Sequence, residues 1–348
     1  MLVEQRRGMV VESRHRGHVV EVDAHGTILH VLGDPDAVVN LRSAMKPFAL
    51  VALLEAGAIE AFDIKPQEIA VMASSHSGED IHVRTIQAVM RRAGVSQSLL
   101  ACGTEGMPLD TLTATRLMRD GERPGPIRHM CSGQHASTII LSRLKGWSLD
   151  DYWRDDHPSQ VAVRSAVARA FGVTPDGLVT AVDACGVLTY AFPLREVARA
   201  YAFLADPEVV LPRDPRASLT PWLILVRDAM LANPEMVGGS RDRLDTSLGK
   251  AMPGRLVAKG GAEALRGVAI LGGPRSGRYV GPSGLALKVD DGDGRGRATH
   301  AATVEALRQV GVLEGQALRM LARYHRPATT DTHGRSAGEA TAVFELAP

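Results

Sequence analysis

Four short segments carry residue types and spacings that could do covalent chemistry. In Ser43-Ala44-Met45-Lys46 a hydroxyl and an amine stand three residues apart. On a helix those positions share a face, so the two groups can meet. A desolvated lysine can lose its proton, and the amine can then take the serine proton as the hydroxyl attacks a carbonyl carbon. Backbone N–H groups at a helix start could hold the resulting oxyanion. A serine cap followed by a surface lysine uses the same four residues, so the tetrapeptide alone does not decide.

The second segment, Ala73-Ser74-Ser75-His76-Ser77-Gly78-Glu79-Asp80, places further hydroxyls before an apolar-periodic stretch. Locally it reads as a helix cap. The third, Lys259-Gly260-Gly261, sets an amine beside two glycines that permit close backbone approach, or a plain turn. The fourth joins His129-Met130-Cys131-Ser132-Gly133-Gln134-His135 to Asp183-Ala184-Cys185-Gly186. The two cysteines are too far apart in sequence for a zinc finger. Thiolate, imidazole and carboxylate nonetheless suit Zn²⁺.

Composition supports weighing the lysines. The 348 residues contain six lysines against 34 arginines. Arginine does not deprotonate in proteins, so a lysine retained in such a chain is a candidate for proton chemistry. The net charge of +1 argues against a nucleic-acid binder. Three cysteines make no disulfide framework, no apolar signal-type segment opens the chain, and no stretch nears the roughly 20 apolar residues of a membrane helix. A cytoplasmic protein is expected, with no membrane partner.

These groups need elements to position them. Gly17 to Asp34 reads as two strands around a turn, and Ser43 to Phe62 as one helix with Pro47 in its first turn. Asp80 to Ala93 shows helical spacing of Ile81, Val83, Ile86, Val89 and Met90. Further helices are expected at 133–144, 158–171, 193–204, 216–232, 298–311 and 314–324, with strands at 267–272, 284–289 and 341–346. Strands near both ends with helices between them predict a sheet assembled from the two termini, flanked by helices, in an α+β or three-layer α/β architecture. The chain reads as one catalytic unit over 1–348, with a weak lobe boundary near 205–215.

The order S-x-x-K, serine loop, K-x-G resembles the motif set of serine β-lactamases and penicillin-binding proteins, with S-H-S in place of S-D-N. More specifically, the chain resembles the rhizobial-type (class 3) L-asparaginase II family along nearly its whole length. The matching stretches are Arg42-Ser43-Ala44-Met45-Lys46-Pro47, Ser75-His76-Ser77-Gly78-Glu79 and Cys131-Ser132-Gly133-Gln134-His135. They continue with His157-Pro158-Ser159-Gln160, Asp183-Ala184-Cys185-Gly186, Pro234-Glu235-Met236-Val237, Lys259-Gly260-Gly261-Ala262-Glu263 and Ala286-Leu287-Lys288-Val289-Asp290-Asp291-Gly292-Asp293.

The resemblance implies a serine β-lactamase-like fold, a homodimer and hydrolysis of L-asparagine to aspartate and ammonia. It implies two Ser–Lys pairs, falling on Ser43 with Lys46 and on Ser75 with Lys259. Ser43 is the expected nucleophile and Lys46 its base, with the opposite assignment to Ser75 left open. It implies a zinc site on Cys131, Cys185 and position 134, where Gln134 stands in place of the family's lysine and is a weaker ligand. Arg42 and Asp183 are the expected binders of the substrate α-carboxylate and α-ammonium by charge. His135 and Glu79 are further candidates to line the substrate. The segment Cys102 to Pro108 lacks the His and Trp of the family pattern, which bears on substrate choice. A different small-amide or β-lactam hydrolase, or a non-catalytic amino-acid binder, are the alternatives.

Overall fold

The computed structural model describes residues 1–103, 108–294 and 296–348, in two compact units. One comprises Met1–Ala44, Phe192–Val209 and Ser247–Pro348; the other Met45–Ala191 and Val210–Thr246. One crossing, between Val209 and Val210, falls inside the proline-bearing stretch 205–215.

The first unit is built on a five-stranded sheet. Its order is Ile28–Leu32, Gly17–Asp23, Ser283–Val289, Leu265–Ile270, Leu256–Gly261, and every neighbouring pair is antiparallel. The two early strands thus join three late ones through the pairing of Gly17–Asp23 with Ser283–Val289, in the arrangement expected from the ends of the chain. The central strands are largely buried, as in Ser283–Val289 with Leu285, Ala286, Leu287 and Val289. A strand buried on both faces reads as a continuous apolar run instead of an alternating one. The helix Leu194–Ala205 lies directly on this sheet. Gly284 makes that possible, because a Cβ there would stand 1.9 Å from Ala198 O and 2.3 Å from Ala202 N. A second sheet, ordered Ala328–Thr330, Ser336–Ala342, Val3–Arg7, Val10–His15, again joins both ends of the chain.

The second unit is mainly helical, with Pro66–Met72, Asp80–Arg92, Thr111–Arg119, Ser132–Lys145, Pro158–Phe171 and Thr220–Ala232, plus a hairpin of Val179–Val182 with Leu188–Pro193. The helix Pro66–Met72 had no counterpart in the sequence expectations. It matters for the site, because Gly133 lets the Ser132–Lys145 helix press against it. A Cβ on Gly133 would stand 2.2 Å from Val71 O. Ser74 and Ser75, which follow that short helix, are thereby brought to the start of the Ser132–Lys145 helix.

Three expectations are corrected. Ser43 to Phe62 is not one helix but a 3-10 turn, Arg42–Met45, followed by α-helical pieces Lys46–Ala49, Val51–Leu54 and Ala58–Phe62. Gly57 at φ 91° introduces the last piece in a left-handed conformation that no continuous α-helix contains. The strand placed at 341–346 runs instead over Ser336–Ala342. Beyond it the side-chain amide of Gln309 takes over the strand's role, donating to Phe344 O and accepting from Leu346 N, each at 2.8 Å. The helix at 314–324 is split into Gly315–Met320 and Ala322–His325.

Candidate active site

Lys46 opens the short helix that follows the Arg42–Met45 turn, and it is only 1% exposed. Its Nζ donates to Ser74 O at 2.9 Å, to Ser75 Oγ at 3.3 Å and to Cys131 Sγ at 3.3 Å. Three hydrogen bonds therefore hold the amine. Burying an amine is costly unless it is hydrogen-bonded, and here it is.

Ser75 is held at its backbone from two sides. Its N–H donates to Val237 O at 3.2 Å, and its carbonyl accepts from Arg243 Nη2 at 2.7 Å. Arg243 was not singled out from sequence, since one arginine among 34 carries no local signal. His76, the next residue, is fully buried and stacks on His82 with ring centroids 4.9 Å apart. Each ring accepts a backbone N–H at Nδ1, from Gly78 and Glu79 respectively, which leaves the proton on Nε2. Those protons go to Ser132 Oγ at 2.9 Å and to Glu235 O at 3.0 Å.

Glu79, expected beside the substrate, is occupied by the chain itself. Its carboxylate accepts from Ser77 Oγ, Ser240 N and Ser240 Oγ and faces Arg241 at 3.3 Å. Arg241 also pairs with Asp110, whose carboxyl its hydrogen bond holds down at about 2. Glu79 and Asp110 thus tie the 238–241 segment down, and a binding role for Glu79 gives way to a positioning one.

Cys131 is the N-cap of the Ser132–Lys145 helix, which carries Gln134 and His135 on its first turn. Cys185 sits at the tip of the hairpin, where Gly186 N donates to Asp183 O and Asp183 N to Val187 O. The interaction with Cys185, against the opposing effect of burial and with help from Lys46, holds the Cys131 thiol well below its ordinary range. The interaction with Cys131 and burial push the Cys185 thiol up. Asp183 is half-buried, with Oδ1 accepting from Ala184 N at 2.6 Å.

The zinc expected on Cys131, Cys185 and Gln134 does not fit this donor set. Structural zinc takes four ligands. Among the described residues no three His, Cys, Asp or Glu side chains gather as a metal-holding group. His135 does not fill the gap. Tyr152 Oη accepts from Ala101 N at 2.8 Å, and its buried hydroxyl proton still needs an acceptor, which His135 Nδ1 supplies at 2.7 Å. His135 Nε2 then carries a proton, has no hydrogen-bond partner among the described groups, and offers no lone pair to a metal.

In the other unit, Ser43 and Arg42 are half-buried in the 3-10 turn, with Arg42 at φ 47°. Lys259 is fully buried on the strand Leu256–Gly261, with Nζ donating to Gly260 O at 2.7 Å. Lys259-Gly260-Gly261 is therefore strand and not turn. Gly261 is needed because the strand passes against the Leu41–Ala44 segment, where a Cβ would lie 2.7 Å from Leu41 O. Ala44 O accepts from Tyr201 Oη at 2.7 Å, which fixes the same segment. The segment Cys102 to Pro108 lies partly outside the described residues. Cys102 itself donates to Pro126 O at 3.3 Å, and burial pushes its thiol up to about 12.

The L-asparaginase II family model matches residues 3–342. The chain belongs to the L-asparaginase II family. It is accordingly an amidohydrolase of that family, and its small-molecule substrate is an amide. Comparison with curated protein sequences gives no match. Among solved structures, similar chains include a probable glutaminase from Bacillus subtilis complexed with 6-diazo-5-oxo-L-norleucine, 11% identical with a TM-score of 0.40 over 86% of each chain. Mglu in its native form is 16% identical with a TM-score of 0.37, over 89% of this chain and 65% of Mglu. A β-lactamase from Burkholderia ambifaria is 13% identical with a TM-score of 0.38, over 84% of this chain and 94% of that one. Among the described residues of this L-asparaginase II family member, no helix is long and apolar enough to cross a membrane.

The buried histidines give the protein a defined acid response. Burial lowers His76, His82 and His135, the last to about 4 from 6.5. Between those values the unfolded chain binds protons that the native state refuses, so stability falls as pH falls through that window. His135 alone accounts for about 3 kcal/mol at 1.36 kcal/mol per unit. Urea unfolding at pH 7.5 and 5.0 should show about 2 kcal/mol of that loss from His135, because pH 5.0 lies partway through the window, and a flat profile would contradict it.

Proposed function

We propose that this protein hydrolyses the side-chain amide of L-asparagine, with Ser43 as nucleophile and Lys46 as general base. The observation that supports it best is the buried Lys46 amine, on the helix that directly follows the turn carrying Ser43. In its neutral form Lys46 takes the Ser43 proton as Oγ attacks the amide carbon. The proton passes by way of Ser75 to the departing ammonia, leaving an acyl-enzyme that water cleaves. Lys259 is the proposed second amine of this proton path, after the resemblance. Arg42 and Asp183 are the proposed partners of the substrate α-carboxylate and α-ammonium. His135 Nε2–H is a further donor for it. No step is routed through zinc. The same reading takes a homodimer in the cytoplasm as the working form.

The hydrogen bond from Lys46 to Ser75 Oγ favours a second assignment, in which Ser75 is the nucleophile. Labelling with a diazoketone analogue of asparagine, followed by peptide mass mapping, separates the two. The label is expected on Ser43, lost in Ser43→Ala and kept in Ser75→Ala. A label on Ser75 would reassign the nucleophile. Ammonia release from asparagine, glutamine and simple amides on the same sample tests the substrate, and a β-lactam turned over without ammonia release from asparagine would overturn it.

A further inference from the structure

The chain from Val237 to Arg243 is hydrogen-bonded along its length to the loop that carries Ser75. Val237 O accepts from Ser75 N at 3.2 Å, and Gly238 O from Ser77 Oγ at 3.1 Å. Ser240 N donates to Glu79 Oε1 at 2.8 Å, and Arg243 Nη2 donates to Ser75 O at 2.7 Å. The backbone is shaped for this path. A Cβ on Gly239 would lie 1.9 Å from Ser77 Oγ and 2.7 Å from Glu79 Oε1, so a larger residue would push the two segments apart. Asp242 at φ 50° then turns the chain back, and exposed residues 240–242 are followed by a half-buried Arg243. The two arginines of this segment have different targets. Arg241 meets the carboxylates of Asp110 and Glu79, whereas Arg243 reaches a main-chain carbonyl of the candidate site.

We infer that Arg243 is a positioning residue for amide hydrolysis, holding the Ser75 main chain so that Ser75 Oγ stays on the Lys46 amine. The inference rests on the proposed part of Ser75 in the reaction. The direction of a serine side chain follows its own backbone, and the peptides on both sides of Ser75 are held. Before it, Ser74 O accepts from Lys46 Nζ at 2.9 Å and Ser75 N donates to Val237 O. After it, Arg243 holds the Ser75 carbonyl. Without that guanidinium the second peptide can turn about the Ser75 backbone and carry Oγ with it. There is little room for such drift. Lys46 Nζ and Ser75 Oγ are already 3.3 Å apart, at the long end of hydrogen-bond distances. A displacement of about 1 Å can cost a reaction about a hundredfold. An arginine also stays charged at any working pH, so the hold does not vary with it.

Steady-state ammonia release by the full-length protein tests this, with whichever of asparagine, glutamine or a simple amide the wild type turns over. Arg243→Ala should lose at least about tenfold in kcat with KM within about twofold of wild type, because the side chain acts on Ser75 and not on the substrate. Arg243→Lys keeps a donor for the carbonyl and should recover most of the loss, as should guanidinium ion added to Arg243→Ala at a concentration too low to unfold it. In a Ser75→Ala background, Arg243→Ala should change kcat by less than about twofold, because the Oγ it places is gone. If Arg243→Ala does not fold, Arg243→Met, which keeps the aliphatic stem and lacks the donor, takes its place. Equal losses in both backgrounds, or a loss without rescue that follows the thermal midpoint, would overturn the inference and leave Arg243 a structural residue. A loss confined to KM would overturn it too, and would put Arg243 on the substrate. Ser75→Ala at the wild-type rate would overturn the part given to Ser75 itself, and the inference with it.

Discussion

Replacing Lys46 by alanine is expected to lower ammonia release by at least about a thousandfold, the scale at which general-base catalysis contributes. The expectation follows from the position of the amine. It is buried, it reaches Ser75 Oγ, and it opens the helix that follows the turn carrying Ser43. Loss of activity from unfolding would look similar, so Lys46→Arg is the more telling variant. Arginine keeps the positive charge but cannot give up its proton. If Lys46 works as a base, Lys46→Arg should be nearly as inactive as Lys46→Ala, with circular dichroism and thermal midpoint close to wild type. A Lys46→Arg enzyme retaining more than about a tenth of the wild-type rate would mean that Lys46 acts through its charge alone.

Gly284→Ala is expected to cost at least about 3 kcal/mol, toward the upper end for overpacking. The added Cβ would meet Ala198 O and Ala202 N, both backbone atoms of the Leu194–Ala205 helix. A flexible side chain could rotate away from the methyl, but backbone cannot. The helix would have to lift from the central strand Ser283–Val289, taking with it Tyr201, whose hydroxyl holds Ala44 O. Urea unfolding at neutral pH should show the loss, and a midpoint unchanged from wild type would contradict the close packing. Activity should fall as well, because Ala44 lies in the turn that carries Ser43.

Much of the scaffold was legible from local pattern. The strands at 17–23, 28–32 and 283–289 and the helices at 80–92, 132–145 and 158–171 follow from apolar spacing with glycine or proline at the ends. The failures have particular causes. The stretch from Ser43 to Phe62 is apolar enough for one helix, yet Gly57 breaks the run. At 341–346 the apolar pattern suggested a strand, but the Gln309 side chain satisfies that backbone instead. Glu79 looked available to a substrate until Ser240 and Arg241, more than 160 positions away, were found to occupy it. Lys259-Gly260-Gly261 read as either a close backbone approach or a turn, because nothing local shows that a strand must pass close to Leu41.

Sequence alone determined which groups exist and what family they belong to: Ser43 and Ser75, Lys46 and Lys259, three cysteines, and a glutamine at position 134. Tertiary structure decided the pairings. It bonded Lys46 to Ser75, 29 positions away, and to Cys131, 85 positions away, and it turned His135 Nε2 into a donor through Tyr152. The reason is one of range. Helix and strand preferences act over a few residues through sterics and capping. The partner of a buried amine depends instead on which backbones can approach, and here a missing side chain at Gly133 brings the serine loop to the cysteine helix.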